Sequence, residues 1–250
     1  EKYKVRLGLN ATVEAAATSN FYIYPSIYAK YNLVKDIIIP YAGAEGGLQR
    51  TNLRSLSAKN PFIVSNPLLK NHNERYLLYL GVRGEFNSKS SFNLRAAQRA
   101  VHDYGFFVNS NDSLTGFPVG KTVELMYDNR RITNVSAEAS YEIIDRLSLF
   151  GRLDYYSYIL NTALSPWHLP EVKGTLSARY DLKDELVLTS DLFFVGDRTA
   201  LTYDPTKGQN VGFGEYAVSL PAYFDANIGI EYRYTSRLSA FLDVNNILNS

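Results

Sequence analysis

Charged side chains recur at every second position over much of the sequence, and this spacing limits the chemistry they can perform. In an extended chain alternate residues point to the same side, so each series forms one polar face. Acidic and basic residues are interspersed within these series. Such a face can form cross-strand ion pairs and water bridges that stiffen a wall, or it can contact a plug or a passing solute. The residues predicted to line a common lumen are Arg83, Glu85, Arg152, Asp154, Lys173, Arg179, Asp225, Glu231, Arg233 and Asp243.

The histidines do not form a recognisable catalytic or metal site. His72, His102 and His168 lie far apart in the sequence and lack the spacing of metal ligands. A barrel phospholipase needs a serine and a histidine on neighbouring lipid-facing strands, and no histidine falls in a regular strand segment of that kind. The glycines of segment 43–47 lack the lysine and the strand-to-helix context of a phosphate loop, so they are predicted to ease strand curvature or to make room for a large neighbour. The sequence therefore predicts no enzyme, no cofactor and no metal ion.

One segment has the composition of a ligand-binding loop. Residues 202–216 combine aromatic and carboxamide side chains with glycines, which suits stacking and hydrogen bonding to sugars or peptides but is more typical of a solvated outer loop. Trp167, next to His168, is either a platform for the same ligand or an anchor at a membrane interface, a layer that tryptophan favours. The candidate ligand-contacting residues are Tyr203, Gln209, Asn210, Phe213, Tyr216 and Trp167.

These residues must be positioned by β-strands, because apolar and polar residues alternate strictly over long stretches. The clearest example is the hairpin from 223 to 244, whose two arms alternate on either side of a turn at 235–237. Strands of soluble proteins average about five or six residues, whereas a membrane-spanning strand needs about nine to eleven, with aromatic residues at both membrane edges. Eleven strands are predicted, at 3–15, 21–33, 37–49, 75–86, 91–109, 121–143, 147–158, 170–180, 186–196, 223–234 and 238–245.

The connections between these strands alternate between short turns and longer loops, as in outer-membrane barrels. A tyrosine that would lie at the membrane edge precedes four of the short turns: Tyr31, Tyr141, Tyr180 and Tyr232. The strands at 91–109 and 121–143 are too long for the hydrocarbon layer and are predicted to project beyond it as a polar hairpin. Pro25 is predicted to lie at an edge or a bulge. The predicted fold class is all-β, an antiparallel transmembrane β-barrel of which this chain contains a part.

Composition narrows the classes of function. The 250 residues include 26 basic and 25 acidic residues that are mixed along the chain, so no nucleic-acid-binding surface is predicted. Cysteine is absent, which excludes disulfides and thiolate metal sites. No run of apolar residues is long enough for a transmembrane helix. The chain begins inside a strand, ends just after one and lacks a signal peptide, so we expect 1–250 to be a segment of a larger barrel.

The closing segment resembles the end of the barrel in TonB-dependent receptors. It reads Leu220-Pro-Ala-Tyr-Phe-Asp-Ala-Asn-Ile-Gly-Ile-Glu-Tyr-Arg-Tyr, and the chain then continues from Arg237 to Asn-Asn-Ile-Leu-Asn-Ser250. In that family a strand of the type aromatic, Asp, aliphatic, Asn, aliphatic, Gly precedes Asn-Asn-aliphatic-Leu-Asn and the final strand. Segments 53–62 and 166–170 resemble the Bacteroidetes-type outer-membrane receptors of this group.

The resemblance implies a barrel of about 22 strands, of which this chain would be roughly the second half, with the plug domain, the signal peptide and the last strand outside it. It also implies uptake of a scarce solute across the bacterial cell outer membrane. The implied partners are outer-membrane lipid, a plug domain, an inner-membrane energy-coupling protein and a surface lipoprotein, with no nucleic acid. The alternative is a plugless, porin-like or structural outer-membrane barrel that acts as a subunit of an envelope complex.

Overall fold

A computed structural model shows an antiparallel β-sheet with a small hairpin and a short helix at one end. It describes residues 2–15, 19–34, 37–111, 118–182, 185–203, 215–235 and 237–248. The strands are β1 (Tyr3–Arg6), β2 (Leu9–Glu14), β3 (Asn20–Tyr31), β4 (Ile39–Gln49), β5 (His72–Asn87), β6 (Ser90–Asn111), β7 (Pro118–Ile144), β8 (Leu147–Leu160), β9 (Val172–Leu182), β10 (Leu186–Val195), β11 (Arg198–Tyr203), β12 (Glu215–Leu220), β13 (Tyr223–Thr235) and β14 (Leu238–Val244). The helix α1 (Leu53–Lys59) lies between β4 and β5.

The main sheet follows the order of the chain. Its strands are arranged β1-β3-β4-β5-β6-β7-β8-β9-β10-β13-β14, and each is antiparallel to its neighbour. Strands β1 and β2 both pair with β3 and form one ribbon that is interrupted at Leu7 and Gly8. The prediction of eleven antiparallel ribbons is therefore confirmed. Within the described residues the sheet is open, with β1 and β14 at its two edges, so it is part of a barrel.

The strand register separates the side chains into an apolar face and a polar face. Leu80 pairs with Ala42 on the apolar face, and Leu153 pairs with Ala137. The two leucine side chains are 64% and 55% exposed, although apolar surface left in water forgoes about 25 cal/mol per Å². No second sheet covers this face in the part of the chain that the structure describes. An apolar face opposite a polar face is typical of strands that meet lipid on one side.

Tyrosines lie at the edge of the apolar face, at the end of the sheet where the connections are short. Tyr31, Tyr141 and Tyr232 are each the last or nearly the last residue of a strand, and their side chains are partly exposed. Tyr180 pairs with Leu147, the first residue of β8, at the same end of the sheet. The predicted row of edge tyrosines is confirmed.

Strands β6 and β7 extend well beyond their neighbours at the opposite end. They contain 22 and 27 residues, and β7 pairs with β8 only between Arg130 and Ile144. On the apolar side of β7 the row that runs back from Ile143 to Val135 gives way to Thr133 and Arg131. The apolar row on β7 therefore ends near Val135, and the prediction that the two strands extend past their neighbours as a hairpin is confirmed.

Three connections pack against the base of this hairpin. Phe106, Val108, Trp167 and Leu201 form a buried cluster contributed by β6, the β8–β9 connection and β11. The helix α1 begins at Asn52, whose side chain accepts from the Ser55 backbone N–H while Ser55 bonds back to the Asn52 backbone, which forms a capping box. No helix within the described residues has the length and apolar content needed to cross a membrane.

Several predicted boundaries were wrong for identifiable reasons. Strand β5 begins at His72 and not at 75, because the register shifts between Glu74 and Tyr76 and this bulge interrupts the alternation. The predicted loops at 50–74 and 197–220 contain α1 and the β11–β12 hairpin. Pro25 agrees with its prediction only on the β4 side: it lies just outside the β3–β4 ladder, which begins at Ser26, but it pairs with Leu9 of β2.

Candidate polar face and loop-end cavity

The charged residues predicted to line a lumen all lie on strands of the main sheet. They fall on β5 (Arg83, Glu85), β8 (Arg152, Asp154), β9 (Lys173, Arg179), β13 (Asp225, Glu231, Arg233) and β14 (Asp243). In the register these positions pair with residues of the polar face; Arg152 is opposite Glu138 and Asp154 is opposite Lys173.

A continuous hydrogen-bonded network crosses the polar face from β4 to β8. The Tyr41 hydroxyl donates to Asn93 Oδ1 at 2.7 Å, and Asn93 Nδ2 donates to Glu138 Oε2 at 3.0 Å. Arg152 then connects two carboxylates, donating from Nη1 to Glu138 at 2.8 Å and from Nε to Asp154 at 2.6 Å. Asp154 is only 6% exposed, so this guanidinium compensates a buried charge.

Two other ion pairs on this face run along a strand and not across strands. Arg179 contacts Asp181 at 3.0 Å, and Arg233 contacts Glu231 at 2.9 Å. Residues i and i+2 share a face and are about 6.6 Å apart, which long arginine side chains span easily. The predicted cross-strand ladder is therefore only partly realised: Arg152 pairs with Glu138 across strands, whereas Arg179 and Arg233 pair within their own strands.

Glycines on β4 and β5 make room for tyrosines on the same face. Tyr41 pairs with Gly81, and Gly43 pairs with Tyr79. A Cβ on Gly81 would lie 2.5 Å from the Tyr41 ring and 2.6 Å from the Leu94 carbonyl oxygen. Tyr41 thus reaches Asn93 on β6 by lying over the glycine of the strand between them. This agrees with the prediction that Gly43 accommodates a large neighbour.

The remaining predicted lining residues are dispersed. The Arg83 guanidinium lies 5.7 Å from the Tyr41 ring centre, and the Lys173 ammonium lies 6.0 Å from that of Tyr156. Asp225 accepts from the Ala226 backbone N–H at 2.8 Å. Within the described residues no group of three or more His, Asp or Glu side chains has the geometry of a metal site.

A more enclosed site lies at the long-loop end, where a cavity of about 430 Å³ sits against the projecting hairpin. It is bounded by the end of β4, α1, the projecting part of β6 and β7, and the β8–β9 connection. Its polar and aromatic lining includes Lys59, His72, Arg99, Asp103, Tyr104, Phe106, Arg130, Trp167 and His168. The cavity lies beyond the end of the apolar band on β7.

Arg130 is the most buried charged group in this lining. Its side chain is 7% exposed, and its guanidinium carbon lies 2.9 Å from the centre of the Tyr104 ring. Burial lowers the pKa of Arg130 to about 10, so the group stays cationic at neutral pH. Burial and the cations Arg130, Lys59 and Arg99 lower the pKa of His72 to about 4, so that imidazole is neutral at pH 7.

Asp128 fixes the connection that closes the cavity. Its carboxylate accepts from the backbone N–H groups of Asn161, Thr162 and Ala163 at 3.0–3.1 Å and from the Thr162 hydroxyl at 2.8 Å. Burial alone would raise the pKa of Asp128, but the hydrogen bonds from Ala163, Thr162 and Asn129 outweigh it and lower the pKa. The carboxylate therefore holds the start of the β8–β9 connection in its ionised form.

Replacing Asp128 with asparagine is expected to loosen this connection. Hydrogen bonds to a charged acceptor contribute roughly 1.5–3 kcal/mol each, so amide exchange at Thr162 and Ala163 should accelerate at least about tenfold. Because the folded-state pKa is depressed, the protection should be complete above the ordinary carboxyl pKa of 3.8 and be lost as the pH falls through the folded value. Hydrogen-exchange mass spectrometry of this connection tests both effects. Asp145→Asn, at an exposed turn that pairs with Lys89, is the control and should leave the exchange unchanged.

The side chain of Trp167 is 2% exposed and packs against Phe106, Val108 and Leu201, so it does not lie at an exposed membrane interface. Trp167 is part of the lining of the loop-end cavity, and its predicted contact with a ligand stays a prediction. Gln209, Asn210 and Phe213 lie outside the described residues. Tyr203 and Tyr216 are described only through their backbone: Tyr203 is the last residue of β11 and pairs with Glu215, and Tyr216 pairs with Thr202.

The three histidines make separate contacts, although two of them line the same cavity. His72 contacts the Tyr104 ring edge-on at 5.1 Å between ring centres. His168 is anchored by its backbone N–H, which donates to the Thr199 carbonyl at 2.8 Å. His102 pairs with Asn73 in the β5–β6 ladder. Only His72 and His168 line the cavity.

Arg130 and Asp128 were missed among the candidate site residues. The alternation of Glu124, Met126, Asp128 and Arg130 is visible in the sequence, but this stretch was assigned only to a polar projecting hairpin. Arg130 lines a cavity formed with other parts of the chain, and Asp128 binds the backbone of residues 161–163; no local sequence pattern indicates either contact.

The fold and the two-faced register define the class of structure: part of an antiparallel β-barrel of the type found in outer-membrane receptors. No protein-family model matches the sequence, and no curated protein sequence matches it.

Solved structures show which barrels the chain resembles. The ferripyoverdine receptor of the outer membrane of Pseudomonas aeruginosa aligns with 100% of this chain and 33% of its own, at 16% identity and a TM-score of 0.65. The ferric enterobactin receptor of the same organism aligns with 99% and 37%, at 15% identity and a TM-score of 0.65. The ferric-catecholate import receptor of E. coli K12 aligns with 100% and 38%, at 13% identity and a TM-score of 0.59. The chain therefore spans about a third of the length of the receptors it matches, and at this identity the likeness establishes the fold.

Proposed function

We propose that the chain is a barrel segment of a TonB-dependent receptor that takes up a scarce solute across the bacterial outer membrane. The observation that carries the proposal is the two-faced sheet, with exposed leucines outside and paired charges inside. This arrangement suits a wall between lipid and an aqueous lumen. The similarity to import receptors that are named for ferric complexes supports the same class of activity for this chain.

The proposal includes strands beyond those described here. In hydrocarbon every backbone N–H and C=O must be paired, so the edges at β1 and β14 require further strands. Arg83, Glu85, Arg152, Asp154, Lys173, Arg179, Asp225, Glu231, Arg233 and Asp243 would then line the lumen and face a plug domain. Uptake would depend on an inner-membrane energy-coupling protein that acts through that plug.

Conductance in planar bilayers tests this proposal. The protein in its full natural length is expected to be nearly silent, because a plug fills the lumen, and to open when urea displaces the plug. A wide, steady conductance without urea contradicts the plugged receptor and favours a porin-like barrel. Recovery of the protein from the cytosol without detergent contradicts both.

The finer assignment to the Bacteroidetes-type receptors is supported by the sequence resemblance of segments 53–62 and 166–170. In this interpretation a surface lipoprotein covers the long-loop end. Affinity purification of the tagged protein in mild detergent, followed by mass spectrometry, should then recover a lipoprotein in equal amount. Its absence from a preparation that retains the barrel contradicts the finer assignment and leaves the transport proposal standing.

A further inference from the structure

The cavity at the loop end has an excess of positive charge. Lys59, Arg99 and Arg130 line it, and Asp103 is the acidic residue among the described lining groups. Asp103 is already paired with Lys70 at 3.0 Å, and Arg99 contacts Glu74, a residue outside the lining, at 3.4 Å. Among the described residues, the positive charges of the lining are therefore not all paired with carboxylates. Arg130 takes part in no ion pair with a described residue.

Buried donors without acceptors are concentrated in the same lining. Arg130 Nε, Arg130 Nη1 and Trp167 Nε1 are all buried and have no hydrogen-bond partner among the residues that the structure describes. Asp128 lies two residues before Arg130, but its oxygens are occupied by the backbone of residues 161–163. A buried N–H group without an acceptor is destabilising, most of all on a cation, so such groups in a native fold call for a specific partner.

The chemistry of these donors defines that partner. A guanidinium and an indole N–H donate and cannot accept, so the partner must offer acceptor oxygens and negative charge. The planar guanidinium matches two oxygens of one carboxylate or phosphate group. Tyr104 and Phe106, at 5.3 Å between ring centres, add an aromatic wall. The cavity volume of about 430 Å³ falls within the range of roughly 300–1,000 Å³ that is usual for small-molecule sites.

We propose that this cavity binds a small soluble solute through a carboxylate or phosphate group, which accepts hydrogen bonds from Arg130 and Trp167. Tyr104 and Phe106 contact the rest of the solute. The inference rests on the proposed uptake function only in treating the bound molecule as a transported solute, because binding itself requires no transport.

Calorimetric titration of the purified full-length protein in a non-ionic detergent tests the proposal. The probes are inorganic phosphate and citrate, with glucose as the neutral probe. We expect saturable binding of at least one anion, no binding of glucose, and at least tenfold weaker anion binding in Arg130→Gln. Arg131→Gln is the matched control: it removes the same charge from the next residue, which is exposed on the opposite side of β7. Its affinity should equal that of the unmodified protein.

Two further measurements separate binding from folding. Trp167 is the single tryptophan of the 250-residue sequence, and the emission that is lost in Trp167→Phe identifies its signal in the full-length protein. This signal should change on saturation with the bound anion. The urea midpoint of Arg130→Gln should not fall, whereas a purely structural arginine would lower it. Arg130→Lys keeps the charge without the planar fork, and it should bind with intermediate affinity.

Equal anion affinity in Arg130→Gln and the unmodified protein would overturn the proposal, as would the absence of binding by both phosphate and citrate. Binding of phosphatidylglycerol micelles without binding of either soluble anion would reassign the cavity to a lipid headgroup and also overturn it. Anion binding to a protein that fails the conductance test removes the uptake function but leaves this site in place.

Discussion

Replacing Leu153 with arginine is expected to prevent stable insertion of the barrel. Leu153 lies on β8 within the apolar face, paired with Ala137 and Gly174, and it is 55% exposed. If this face contacts acyl chains, an arginine near the bilayer midplane should cost about 2–4 kcal/mol. The measurement is urea-dependent folding into lipid vesicles, followed by the heat-modifiable mobility of the folded barrel.

Ser148→Arg is the matched control for this experiment. Ser148 is an exposed residue of the same strand, lies on the polar face and pairs with Glu142. It should leave the folding free energy unchanged within about 0.5 kcal/mol. A Leu153→Arg protein as stable as the control would mean that the apolar face meets water, and the membrane interpretation would then be wrong.

Which face each strand residue occupies was predictable from the sequence. Leu153 and Asp154 are neighbours that point to opposite sides, because successive side chains of a strand alternate whatever the rest of the chain does. The same local rule located the edge tyrosines and the projecting hairpin. It failed first at the bulge beside Arg75, where one extra residue shifts the phase of the alternation.

The loop-end cavity was not predictable in this way. Trp167 is buried because Phe106, Val108 and Leu201 reach it from two other parts of the chain, and no repeating pattern encodes the packing of irregular connections. Asp128 likewise acts on residues 161–163, more than thirty positions later. The capping box at Asn52 and Ser55 was a readable signal for α1 and was missed.

Predicting which residues contact each other on the polar face requires the strand register as well as the alternation. Tyr41 and Asn93 were both readable as polar-face residues, but they are two strands apart. They meet because β5 places a glycine between them at position 81. The contact between Tyr41 and Asn93 can be recognised only from the register of all three strands. Substitution of Gly81 therefore tests that register.

Replacing Gly81 with alanine is expected to destabilise the barrel by about 3 kcal/mol, because a misfitting atom in a close-packed position forces its neighbours to move. The added Cβ would lie 2.5 Å from the Tyr41 ring and 2.6 Å from the Leu94 carbonyl oxygen. The Leu94 oxygen belongs to the backbone and cannot rotate away, and displacement of Tyr41 breaks its 2.7 Å hydrogen bond to Asn93.

Gly151→Ala is the control for this change, because its Cβ would meet nothing closer than Leu176 Cδ1 at 4.0 Å. It should raise stability by about 0.5 kcal/mol through the reduced freedom of the unfolded chain. Opposite signs for the two glycines, measured by urea titration in the same vesicles, are the expected result. If Gly81→Ala leaves the free energy of unfolding unchanged, β4, β5 and β6 are not aligned in this register. The hydrogen-bonded network from Tyr41 to Asp154 would then be wrong as well.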